Sequence, residues 1–137
     1  MPQAQIVEIQ NVSFGYDPAR PVLRDIDLAI PQGAVVWQDR RSTAVCDRLR
    51  PHESRVTELT GLRLDPYFSG TKLTWLAENE PNTWALVGQE RYAIGTVDSY
   101  LIARMTRGTW HVTDVSNACR TLLLDLESGE WSDELCE

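Results

Sequence analysis

The stretch Tyr67-Phe68-Ser69-Gly70-Thr71-Lys72-Leu73-Thr74-Trp75-Leu76-Ala77-Glu78-Asn79 decides the reading of this chain. Leu62 to Pro66 precedes it as extended backbone, because the residue before a proline avoids the helical region. Ser69 is a residue type that caps a helix, and no breaker follows before Glu78, so the spacing predicts a helix from Ser69 to about Glu78. Upstream, Asp39 to Arg50 reads as a helix with Ala44, Val45 and Leu49 on one side and arginines on the other, stopped at Pro51. A shorter helical stretch, Glu53 to Leu59, leads into Gly61. Downstream, Asn79 to Asn82 reads as a loop, and Thr83 to Ile94 fits either a helix or a strand. Thr96 to Met105 reads as a helix capped by Thr96, with Val97, Leu101 and Met105 at fourfold spacing. Short strands are predicted at Thr109 to Val112, around a half-buried His111, and at Thr121 to Leu126. Ser132 to Leu135 looks like the first turn of a helix that the chain does not complete.

Toward the N-terminus the periodicity changes from helical to alternating. Ile6 to Phe14 and Val22 to Ile30 each alternate apolar with polar residues, and Tyr16-Asp17-Pro18-Ala19-Arg20-Pro21 lies between them as a turn. Together they predict a β-hairpin. Ala34-Val35-Val36-Trp37 adds a short apolar third strand.

With 137 residues the chain is long enough for one domain with its own core and too short for a two-domain enzyme, so it is one domain or a fragment. A composition of 42% hydrophobic and 24% charged residues is that of a folded soluble chain. The net charge of −7 argues against nucleic acid as a partner, since phosphate recognition needs a positive surface. Lys72 is the only lysine. Cys46, Cys119 and Cys136 are odd in number and widely spaced, which argues against structural zinc, any other metal site and a disulfide framework. There is no signal-peptide pattern and no membrane segment, and the expected compartment is the cytoplasm. Glu127, Glu130, Asp133, Glu134 and Glu137 are expected to form a solvated acidic end.

The run from Tyr67 to Asn79 resembles the first signature of the FGGY carbohydrate kinases, with an aromatic, a small hydroxyl residue, a lysine and a tryptophan at that signature's spacing. Val36-Trp37-Gln38-Asp39-Arg40-Arg41, Asp65 to Lys72, Gly95 to Ile102 and Val112 to Ala118 look like the glycerol kinase branch, in the same order. The resemblance implies an α/β fold, part of a ribonuclease-H-like (actin-like ATPase) domain with helices on a mixed sheet, over residues 35–137. It implies ATP-dependent phosphorylation of glycerol to glycerol 3-phosphate as the parent reaction, with ATP and magnesium as the family's cofactors. By resemblance Trp37 supplies a flat wall for the polyol carbons, and Tyr67 hydrogen-bonds a hydroxyl. From the residues alone both read more readily as core aromatics. Thr113, Asp114 and Asn117 read as a polar cluster near a site or as local side-chain caps. Lys72 and Trp75 read as structural. The family's Gly-Thr-rich phosphate hairpin, its Arg-Glu pair and its catalytic aspartate have no counterpart here. The chain is therefore expected to hold no cofactor and no catalytic residue of its own, and to be inactive alone.

Residues 6–34 resemble something else: Ile6 to Tyr16 and Pro21 to Gly33 look like the opening of an ABC-transporter ATPase. In that family the aromatic matching Tyr16 stacks on adenine, which makes Tyr16 a nucleotide-binding candidate. No phosphate loop follows. Two domains are expected, 1–34 as an added hairpin and 35–137 as the kinase fragment, joined as a chimera. Rival readings are a noncatalytic interaction module and a truncated transporter ATPase. Exposed strand edges carry a tendency to self-associate.

Overall fold

The computed structural model describes residues 5–14, 23–31 and 34–137. The chain divides into two units, 1–36 and 37–137. In the first, strand β1 (Gln5–Phe14) pairs antiparallel with β2 (Leu23–Pro31). Val7 faces Ile30, Ile9 faces Leu28 and Val12 faces Ile26, with irregularities between Ile9 and Val12 and between Val12 and Phe14. The turn expected between them falls outside the described residues, as does Tyr16. Residues 34–36, expected to form a strand, are irregular, and Val36 is exposed.

The second unit is helical: α1 (Thr43–Leu49), α2 (Glu53–Thr60), α3 (Ser69–Asn79), α4 (Pro81–Gly88), α5 (Val97–Met105), α6 (Val115–Ala118) and α7 (Asp133–Cys136). Pro51 does not separate α1 from α2 by a loop. It sits in a 3-10 turn, Arg50–His52, where its missing N–H costs nothing at a helix start. Gly61 ends α2 at φ +68, and its N–H returns to the Thr57 carbonyl at 2.8 Å, a left-handed cap that a side chain would strain. Pro81 opens α4 where a loop was expected, because proline suits the first helical position. The ambiguous stretch 83–94 is thereby helical only as far as Gly88.

The mixed sheet expected over 35–137 is absent among the described residues of this unit, where the only β pairing is the bridge Leu124 to Trp131. The two predicted strands fail for identifiable reasons. At 109–112 the chain leaves α5 through Arg107 at φ 54 and Gly108 at φ 80, and the Trp110 N–H turns back to the Thr106 hydroxyl. At 121–126, Leu122 takes φ 66, which no strand accommodates. The backbone there serves helices instead: Gly70 donates to the Thr121 carbonyl at 2.7 Å, and Leu126 donates to Leu59 at 2.9 Å. A Cβ on Gly70 would lie 3.1 Å from that carbonyl, so glycine permits the close approach.

The core lies where α1, α2 and the start of α3 meet this segment. Leu64, Phe68 and Leu122 are buried together, with Leu49, Val56 and Leu62 against them. Each such side chain contributes about 1.5–3 kcal/mol of transfer free energy. In α1 the buried pair is Val45 and Cys46, while Ala44, assigned to the apolar side from sequence, is exposed. Ser42 and Thr71 are also buried, and their hydroxyls bond each other at 3.0 Å, which offsets the cost of removing both from water.

Candidate functional site

The approach to α3 is built by Asp65 and Pro66. The Asp65 carboxylate accepts the Tyr67 N–H at 2.8 Å and its carbonyl accepts Phe68 N–H at 3.2 Å, a side-chain-closed turn. Phe68, not Ser69, occupies the cap position, and Ser69 is the first helical residue. The turn sends two consecutive aromatics in opposite directions. Phe68 is 8% exposed and joins the core, whereas Tyr67 is 43% exposed.

Trp37, 61% exposed, meets Tyr67 with ring centroids 5.8 Å apart and planes tilted by 55°. Tyr67 in turn meets Phe68 edge to face at 4.9 Å. The three rings form a ladder from solvent to core, an arrangement worth about 0.5–1.5 kcal/mol per pair beyond area. Neither Trp37 nor Tyr67 is a core aromatic. They present a flat apolar face and a phenolic hydroxyl to solvent, the two features that recognise the carbon edges and oxygens of a small polyol.

Two sets of polar contacts flank this pair. In the segment after Trp37, Asp39 accepts from the Arg41 N–H and Nε, each at 2.9 Å, and the guanidinium closes at 2.7 Å. The same guanidinium lies 4.8 Å from the Trp75 ring centre, a cation–π contact onto α3. Arg41 hydrogen bonds hold the Asp39 carboxyl below its usual range, and Asp39 pushes Arg41 up. From α3, Lys72 is 6% exposed and its ammonium donates to the Tyr67 carbonyl at 3.0 Å. Burial pushes the Lys72 ammonium down, opposed by the nearby Asp39 charge. Asp39 and Arg41 were read from sequence only as part of the run Val36 to Arg41, with no role of their own. Their signal is an acid and a base two residues apart.

Of Thr113, Asp114 and Asn117, Asp114 is the local cap, and the other two form side-chain bonds around it. Asp114 accepts from the N–H groups of Ser116 at 2.7 Å and Asn117 at 3.2 Å, and so starts α6. Side-chain bonds from Ser116 and Asn117 hold its carboxyl down to about 2. Asp98, overlooked in the sequence, ties α5 to this cap: it accepts from Thr113 at 2.6 Å and from Thr96. Burial pushes Asp98 up, but the bonds from Thr113 and Thr96 outweigh it and leave its carboxyl below the ordinary range. His111 is exposed, not half-buried, because the expected strand does not form. In the acidic end, Glu134 pairs with Arg55 of α2 at 2.9 Å, while Glu127, Glu130, Asp133 and Glu137 are exposed. Among the described residues no three His, Cys, Asp or Glu side chains gather as metal ligands, and no helix is long and apolar enough to cross a membrane.

Residues 21–137 match the N-terminal domain of the FGGY family of carbohydrate kinases. The chain belongs to that family. Its curated relatives include the glycerol kinase of Methylobacterium nodulans, 52% identical over 104 residues, covering 74% of this chain and 21% of the relative. The glycerol kinase of Mycoplasma genitalium is 41% identical in an alignment covering 98% of this chain and 28% of the relative. Among solved structures, Plasmodium falciparum glycerol kinase with ADP superposes with a TM-score of 0.69 at 26% identity, over 98% of this chain and 24% of that one. A xylulose kinase from Lactobacillus acidophilus shares the fold, with a TM-score of 0.62 at 21% identity over 85% of this chain and 21% of that one. The chain therefore spans between a fifth and three tenths of the length of these FGGY relatives. The family match starts at residue 21 and takes in β2, so it gives no support to a hairpin added to the kinase domain.

Proposed function

We propose that this chain carries the polyol-facing wall of a glycerol-kinase-like enzyme, with Trp37 and Tyr67 as the substrate contacts. The observation that carries this reading is the solvent-facing aromatic pair at 5.8 Å, on the two residues that the family resemblance designates. Trp37 lies against the carbon–hydrogen edges of glycerol, and the Tyr67 hydroxyl bonds one of its oxygens. In the whole enzyme the reaction is phosphoryl transfer from ATP to a glycerol hydroxyl, giving glycerol 3-phosphate. ATP and magnesium are the cofactors of that reaction, and no residue of this chain is assigned to them.

The 137 residues alone are proposed to be inactive, because positioning a nucleotide, a metal and an attacking hydroxyl takes more groups than this wall supplies. In the full enzyme the helices of residues 37–137 cover the sheet of a ribonuclease-H-like domain. For residues 6–34, two findings favour a kinase reading over a transporter-ATPase one: the family match from residue 21 and the Mycoplasma genitalium alignment over 98% of the chain. Tyr16 is retained as a nucleotide contact only on the transporter reading. Self-association through the outer edges of β1 and β2 is a further proposal, read out by the mass of the chain in solution.

Glycerol titrated into the purified chain, followed by saturation-transfer NMR, tests the substrate reading. Binding is expected on the order of millimolar, since two side chains offer few directional contacts. Tyr67→Phe with Trp37→Ala should abolish it. No glycerol signal in the native chain, or an unchanged signal in the double variant, overturns the reading. Glycerol 3-phosphate formed by the chain with ATP and magnesium would overturn the proposed inactivity.

A further inference from the structure

We infer that Lys72 is a positioning residue for the aromatic wall: by holding the Tyr67 carbonyl from the first turns of α3, it fixes the Tyr67 ring against Trp37. This rests on the reading of Trp37 and Tyr67 as the substrate wall, and it adds a residue that acts through the Tyr67 backbone. Lysine is seldom buried, because its ammonium keeps its water at little cost by extending along the surface. Lys72 instead runs inward to 6% exposure and donates to the Tyr67 carbonyl at 3.0 Å.

The target of that bond matters. Tyr67 has its N–H fixed by Asp65 at 2.8 Å and its carbonyl fixed by Lys72, so both of its backbone polar groups are held. The next residue, Phe68, is pinned in the core with its ring edge to face against Tyr67 at 4.9 Å. With the backbone and one ring neighbour fixed, the tyrosine ring keeps one approach to Trp37. The flanking charges are arranged to tolerate the ammonium. Asp39 and Asp65 favour it and Arg41 opposes it, while Arg41 is itself neutralised by its close pairing with Asp39. A hydrogen bond from a charged donor is worth more than a neutral one, which suits a group whose task is to hold a turn.

Lys72 is the only lysine, so labelling lysine with nitrogen-15 at Nζ gives a single resonance in the full chain. Its protons should exchange slowly with water and correlate with the Tyr67 carbonyl. An Nζ signal exchanging like that of a solvated lysine overturns the inference, and this readout needs no variant to fold. In Lys72→Met, the ring-current shifts and proton contacts between Trp37 and Tyr67 should be lost, and glycerol affinity should fall roughly tenfold. A purely structural lysine would lower the melting temperature and leave the ring contacts intact. Native ring contacts in Lys72→Met overturn the inference. If the native chain binds no glycerol, the substrate reading fails, and the ring contacts still decide the role of Lys72.

Discussion

The two halves of the helical unit use similar sequences to different ends. From Ser42 to Lys72, with Ala118 to Leu124, apolar and small polar residues are buried against one another. From Pro81 to Val112 the helices are as regular, yet α4 buries no residue and α5 buries only Ser99. Val97, Met105, Trp110 and Val112 all stay exposed. Hydrophobic periodicity builds a helix in both places, but it stabilises the unit only where a second surface meets it. The signature of the family begins in the packed half, and Tyr67 stands on it.

The contrast breaks most readily in the packed half. Phe68→Ala should destabilise the chain by about 3–5 kcal/mol in urea denaturation, through lost burial and the cavity left behind. A cost below 1 kcal/mol would place the core elsewhere. Thr71→Val, which strands the Ser42 hydroxyl without its partner, should cost about 1–3 kcal/mol by the same measurement. In the open half, Trp84→Ser should change stability by no more than about 0.5 kcal/mol. A large loss there would mean that α4 is packed in solution.

A smaller effect separates the Asp114 cap from the wall. The folded-state carboxyl of Asp114 sits near 2, below its ordinary 3.8, so its contribution is present above 3.8 and is lost as pH falls toward 2. Thermal melts of Asp114→Asn should therefore show a shallower acid decline across that window than the native chain. An identical decline would leave the cap bonds without energetic weight.

Much of the wall was legible before any coordinates. The helix from Ser69 and the candidacy of Trp37 and Tyr67 follow from local chemistry and the family resemblance, because helix spacing acts within a few residues, whereas Asp65 and Pro66, read only as extended, lead into a side-chain-closed turn. The strands at 109–112 and 121–126 were misread for the complementary reason. Leu122, Leu123 and Leu124 satisfy a strand pattern, but Leu122 takes φ 66 and the carbonyl of the preceding Thr121 accepts from Gly70, distant in sequence. The helix α3 starts at Ser69 as expected, but Phe68 takes the cap position that Ser69 was read to offer, and Asp65 closes the turn before it.

What the sequence determined by itself is the run of helices α1 to α3 and the helix α5, the two alternating strands and the family to which the aromatic run belongs. These depend on periodicity and short-range sterics. Only the tertiary structure decided which aromatic faces solvent, which hydroxyls pair, and that the single lysine turns inward to a carbonyl five residues before it. Those outcomes are set by which surfaces meet and exclude water, and neighbouring residues such as Tyr67 and Phe68 receive opposite environments from it.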